Sequence, residues 1–101
     1  MSEKLRILNF SFVDQGRHIM VCTNHGFRLH ERSSCKLKVN TETIEGGLSH
    51  CMPYLSTNIF FIVGTGLNVD MPTNKLCLWD DAAGKVVADV QFFEPIIDLQ
   101  V

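Results

Sequence analysis

NIFFIVGTGLNVDMPTNKLCLWD, Asn58 to Asp80, is the stretch whose reading decides the fold. Ile59 to Val63 is a short, wholly apolar run of β-branched and aromatic residues, which reads as a strand buried on both faces. Gly64-Thr65-Gly66 then releases the chain into a polar loop that contains Pro72 and Asn74. A second strand runs from Lys75 to Asp80, with Leu76 and Leu78 alternating to one side and Trp79-Asp80 closing it.

Upstream, the same order of signals occurs once already. Leu8, Phe10 and Phe12 alternate with Asn9 and Ser11, a half-buried strand from about Arg6 to Val13, and Asp14-Gln15-Gly16 is a turn. Ile19 to Thr23 reads as a buried inner strand, and Asn24-His25-Gly26 as a tight connection in which Gly26 is free to take a positive φ. Phe27 and Leu29 alternate with Arg28 and His30 in a third strand. Lys36 to Val39, extended by Thr43 to Glu45, makes a ragged fourth. After Gly46-Gly47 the pattern restarts with Leu48 to Leu55, interrupted by Pro53, and then the decisive stretch. Asp81 to Gly84 is a turn, and Lys85 to Phe92 is a strand with Val86, Ala88 and Val90 alternating. Beyond Pro95, Ile97, Leu99 and Val101 alternate once more.

Counting ties the two units together. Val21-Cys22-Thr23 matches Val63-Gly64-Thr65 at an offset of 42 residues, and Phe27 to Glu31 matches Leu76 to Asp80 at an offset of 49. The seven additional residues fall in the loop between the second and third strands of the second unit. Four strands per unit, a period in the low forties and a Trp-Asp strand end are the signature of a WD40-type propeller. The sequence therefore predicts an all-β chain of two four-stranded antiparallel blades, 1–45 and 46–93, with 94–101 opening a third.

Composition sets outer limits. With 101 residues, 46% hydrophobic and 20% charged, the chain suits one small folded unit. A net charge of −2 implies no nucleic-acid partner, although residues 1–47 carry seven Lys/Arg against five Asp/Glu while the rest carries two against six. The N-terminus mixes charges of both signs without the apolar core of a signal peptide, so a reducing cytoplasmic setting with free Cys22, Cys35, Cys51 and Cys77 is expected. Asn9-Phe10-Ser11 fits a glycosylation pattern but sits in an expected strand of such a chain.

Sharper chemistry finds little support. Cys22-x-x-His25 with His50-Cys51 could suggest zinc, but adjacent residues in a strand point to opposite faces, and Cys22 ends a buried strand. No feature lowers a thiol pKa for nucleophilic catalysis, and Gly64-Thr65-Gly66 lacks both the third glycine and the helix of a dinucleotide loop. No enzyme, metal or cofactor is expected. Trp79 reads as packing against the neighbouring blade and Asp80 as capping the turn after it. Arg28, Arg32, Lys36 and Lys38 fall on the outer strands of the first blade, where solvated surface is the plain reading and an anion site the sharper one.

The ordered motifs resemble a known family. MVCTNHGFRLHE, with Gly26 and Phe27, resembles the first-blade signature of the phosphoinositide-binding autophagy propellers, the PROPPIN or WIPI family. FIVGTG with Gly64 and Thr65, followed by a loop and KLCLWD with Trp79 and Asp80, resembles the second-blade signature. ILNFSFVDQG and EPIIDLQV resemble the approaches to blades one and three. The resemblance implies a non-enzymatic scaffold that binds phosphatidylinositol 3-phosphate and its 3,5-bisphosphate and recruits autophagy proteins, among them a lipid-transfer partner. It implies a cytoplasmic protein, peripheral on phagophore-assembly and endolysosomal or vacuolar membranes. Lipid binding in the family depends on an Arg-Arg pair in a Phe/Leu-Arg-Arg-Gly motif after the second blade. Arg6, Arg17, Arg28 and Arg32 are all isolated, so no lipid-binding residue carries over. The family's partner loop, a Pro followed by basic residues, maps onto Pro72, Asn74 and Lys75, with only Lys75 keeping the charge. The runner-up is a WD40-type interaction scaffold unrelated to lipid.

Overall fold

The computed structural model describes residues 4–54 and 57–99. Its first sheet runs β1 (Ile7–Val13), β2 (His18–Thr23), β3 (Phe27–Glu31) and β4 (Leu37–Thr41). The second runs β5 (Leu48–Pro53), β6 (Ile59–Gly64), β7 (Lys75–Asp80) and β8 (Lys85–Gln91). Each strand pairs antiparallel with its sequence neighbour, so each sheet is a simple four-stranded meander. No helix occurs among the described residues, and none is long and apolar enough to cross a membrane.

The sheets stack face to face, with β5 lying against β1 and β2. Register decides which residues meet. Met20 and Cys22 share a face of the first sheet with Leu29 and Phe27, their partners on β3. Cys51, Ile62 and Cys77 line up across β5, β6 and β7, as do Phe60 and Trp79. These two faces close on each other to form the core. At its centre the rings of Phe27 and Phe60 lie 4.6 Å apart, tilted by 40°. Such a pair adds about 1 kcal/mol beyond its buried area.

A polar tether crosses the same seam. Trp79 is 7% exposed, and its indole N–H donates to Asp81 Oδ1 at 3.0 Å. The Thr41 hydroxyl at the end of β4 donates to the same oxygen. Asp81 also donates its N–H to Asn58 O, extending the pairing of β7 with the start of β6, while the Gly84 amide closes the β7–β8 turn onto Asp80 O. The second half of that turn is capped by Asp80, whose Oδ1 accepts from the amides of Ala82 and Ala83.

The structure revises several expectations. The Ile59–Val63 run alternates: Phe60 and Ile62 are buried, whereas Ile59 and Phe61 are half-exposed on the outward face. On β1, Phe10 and Phe12 point the same way, away from the second sheet, and are 61% and 59% exposed, whereas Val13 at the strand end is buried in the core. The fourth strand is Leu37–Thr41 and does not continue through Thr43 to Glu45. There the chain turns inward, because Ile44 donates its amide to His25 O and buries its side chain in the core. Leu48 to Pro53 pair as a strand with no break at the proline, which sits at the strand end where a missing N–H is tolerated. The alternating segment 95–99 forms no strand and is held instead by single bonds, from the Ile96 amide to Thr73 O and between His50 Nε2 and Ile97 O; Gln100 and Val101 lie outside the described residues.

Gly26 takes the positive φ its turn suggested, 154°, and has a second reason besides. A Cβ there would collide with the Thr41 carbonyl oxygen, so the close approach of β3 and β4 demands glycine. The connection itself is fastened by Thr23, whose hydroxyl accepts from the amides of His25 and Gly26.

Three outcomes are expected. Asp81→Ala strands the buried Trp79 and Thr41 donors and should lower unfolding free energy by about 2–3 kcal/mol in denaturant melts, against little change for Asp89→Ala on the exposed β8. Cys22, Cys51 and Cys77 are buried and Cys35 is exposed. Burial pushes the Cys22 thiol up to about 12 and raises Cys51 and Cys77 as well. Iodoacetamide at neutral pH should therefore label Cys35 alone in the native state and all four thiols after unfolding. Finally, the outward apolar faces predict concentration-dependent self-association of the isolated chain; a sharp monomer at all loadings in size exclusion would contradict it.

Candidate interaction surface

The loops between second and third strands differ most between the sheets: residues 24–26 in the first and 65–74 in the second. The longer one is built on specific anchors. Thr65 donates its hydroxyl to Gly46 O at 2.7 Å and accepts from the Leu67 amide. Asn68 reaches Glu45 O with its side-chain amide, and its carboxamide oxygen accepts from the Asp70 amide. Met71 folds back into the core and lies against Gly64, where a Cβ would collide with the Met71 carbonyl oxygen. Gly64 thus makes room for the returning loop at the end of β6.

The far end is fastened equally well. Asn74 exchanges two bonds with Phe92, its side-chain amide donating to Phe92 O and its carbonyl accepting the Phe92 amide, both at 2.8 Å. Thr73 O accepts the Ile96 amide. Lys75 begins β7 and donates its ammonium to Asp70 O at 3.3 Å, while its amide donates to Pro72 O.

This geometry sorts the residues that the sequence singled out. Pro72, Asn74 and Lys75 are brought together, but Asn74 and Lys75 are spent on holding the loop. Gly26, Phe27, Gly64, Trp79 and Asp80 shape the sheets and turns, and Thr65 ties the loop to the inter-sheet link. What the loop presents to solvent is Leu67, 78% exposed, and Val69, 89% exposed, with Asp70 beside them. The sequence reading passed over both apolar residues because a two-residue alternation inside a polar loop carries no strand or helix signal. Asn24 was also missed. It is buried, accepts the Arg6 amide on Oδ1 at 2.7 Å and donates from Nδ2 to Lys4 O at 2.8 Å, so it pins the segment that leads into β1.

Among the described residues, no group of three or more His, Cys, Asp or Glu is placed to hold a metal ion. The surface is suited to contact rather than chemistry: an ordered loop with two apolar side chains at its tip, next to the open edge of the second sheet.

No protein-family model matches the chain. Curated proteins and solved structures do. SVP1-like protein 2 of Pichia angusta is 30% identical over 94 residues, which is 92% of this chain and 26% of that protein. Autophagy-related protein 18e of Arabidopsis thaliana is 26% identical over 95 residues, 92% of this chain and 25% of that protein. The solved structure of Kluyveromyces lactis Hsv2 superimposes with a TM-score of 0.78 at 17% identity, over 97% of this chain and 28% of that one. The chain therefore spans about a quarter of the length of the curated relatives it matches. Its two antiparallel sheets are propeller blades, and in sequence and fold alike the chain resembles the PROPPIN propellers over about two blades of their length.

Proposed function

We propose that this chain supplies two blades, 1–45 and 46–93, of a non-enzymatic phosphoinositide-reading scaffold in autophagy, with 94–101 leading toward a third. The observation that carries the reading is the joint similarity to autophagy-related protein 18e and to the Hsv2 propeller, over more than nine-tenths of the chain in each case. In this reading the chain contributes architecture and a partner surface. Recognition of phosphatidylinositol 3-phosphate and the 3,5-bisphosphate falls to an Arg-Arg pair that residues 1–101 do not contain. Two guanidinium forks aimed apart can each clamp one headgroup phosphate. The scaffold would act in the cytoplasm and peripherally on phagophore-assembly and endolysosomal membranes, recruiting autophagy proteins there.

The partner surface is the loop from Gly66 to Asn74. Leu67 and Val69 offer apolar contacts, Pro72 fixes the turn beneath them, and the anchors at Thr65 and Asn74 hold the tip in one conformation. A pre-ordered loop loses little entropy on binding, which favours recognition by a few apolar side chains.

Two measurements test this. Vesicle co-sedimentation of a longer gene product carrying an Arg-Arg pair should depend on 3-phosphoinositides and vanish when the pair is replaced; binding indifferent to lipid would leave a WD40-type protein scaffold instead. In a pull-down of the lipid-transfer partner, Leu67→Asp with Val69→Asp should reduce recovery by about tenfold or more, an ordinary loss for apolar anchors. Asn74→Ala should cost about 1 kcal/mol of stability through its lost side-chain bond. Unchanged recovery for the Leu67/Val69 pair and for Pro72→Ala with Lys75→Ala would remove the loop from the partner site.

A further inference from the structure

At one end of the first sheet, the β1–β2 and β3–β4 turns converge on a cleft of about 470 Å³ lined by Arg17, His18, Glu31, Arg32, Ser33 and Lys38. Its charges are lopsided and already partly sorted. Glu31 is engaged within the wall: its Oε1 accepts from the hydroxyls of Ser33 and Ser34, at 3.2 and 2.9 Å, and its Oε2 lies 4.0 Å from Lys38 Nζ. His18 Nδ1 lies 3.2 Å from Asp14 Oδ2. Neither Arg17 nor Arg32 has a carboxylate partner among the described residues.

Yet these two arginines are held side by side. The Arg32 amide donates to Arg17 O at 3.0 Å, so the backbone itself fixes their origins next to each other. Arg32 is further oriented by the Phe12 ring, 5.5 Å from its guanidinium carbon, and by a bond from Nη1 to Gly16 O at 3.4 Å. Arg17 follows a turn in which Asp14 and Gln15 both carry left-handed φ values, 53° and 56°, and which closes through the Arg17 amide onto Asp14 O. Two basic side chains that leave from paired backbone positions on one cleft raise the local positive potential, and an anion bound between them would offset it.

We propose that this cleft binds a phosphate monoester, with the Arg17 and Arg32 guanidinium groups clamping the phosphate and the Lys38 ammonium adding a further donor. The donors exceed what the two oxygens of a carboxylate can accept, and three phosphate oxygens match them better. The volume leaves room for an organic group beyond the phosphate itself. The site lies on the first blade, apart from the loop of the second, and does not depend on the lipid reading above.

The test uses the 101-residue chain fused to a soluble carrier, with the carrier alone as blank. Calorimetric titration with glycerol 3-phosphate represents a soluble ester, and phosphatidylcholine vesicles with and without phosphatidic acid represent a lipid headgroup. Saturable binding in either arm is expected, and the arm in which it occurs identifies the source. Arg17→Gln, at an exposed position with no side-chain partner, should weaken it by about tenfold, as should Arg32→Gln. Lys85→Gln on β8 should leave it unchanged. Raising salt should weaken binding in step, because the contacts are exposed and charged. Trp79 fluorescence reports that each variant is folded. Absence of saturation in both arms, or undiminished affinity of the folded Arg17→Gln and Arg32→Gln variants relative to the unsubstituted chain, overturns the proposal.

Discussion

Everything in this chain depends on one seam, where the Phe27 ring meets Phe60 and Asp81 ties Trp79 to Thr41. A four-stranded sheet one layer thick cannot bury its own side chains; it needs a second sheet against it. Here the seam supplies the only face-to-face burial among the described residues, and the buried apolar core is gathered on it. The aromatic contact brings the hydrophobic gain, and the half-buried Asp81 carboxylate fixes the relative position of the two sheets, because one acceptor shared by two donors tolerates little sliding.

The seam also explains the uneven burial. Met20, Ile62 and Cys77 are almost wholly enclosed, whereas β8 is exposed along its length and β1 exposes all its residues but Val13. The strands at one edge and the outward faces have only solvent beside them. Their apolar character, with Phe10, Phe12, Val87 and Val90 open, is that of surface meant to be covered by a further layer.

Much of the fold was legible in the sequence because strand signals are local. Alternation and the Gly, Pro and Asn punctuation placed eight strands, and the internal repeat showed that they come in two sets of four. Which face of each strand would be covered was not legible, because period-two alternation gives two faces without saying which one meets a neighbour. Thus Phe10 and Phe12 read as core and proved to point outward. Residues acting through long-range bonds were equally silent: Asn24 and Asp81 are ordinary turn residues until the chain brings Arg6 and Thr41 beside them, and Asn74, read as a partner residue, proved to hold Phe92. The loop of the second sheet was located by counting, but its exposed residues, Leu67 and Val69, emerged only once Met71 was seen to fold inward. Of the basic residues read onto the outer strands, Arg28 and Lys38 lie on β3 and β4, whereas Arg32 and Lys36 fall in the connection between them, and the neighbourhood of Arg17 and Arg32 needed the pairing of two turns.

The anchoring of the second sheet's loop has an evolutionary side. Thr65 and Met71 fasten one flank and Asn74 the other, while Leu67, Val69 and Asp70 hang between them with side chains in solvent. Substitutions at those three positions leave the core untouched, so selection for folding hardly constrains them. The span is a place where binding preference can drift or be retuned between lineages without passing through unfolded intermediates. The three-residue connection of the first sheet, pressed against Thr41, has no such latitude.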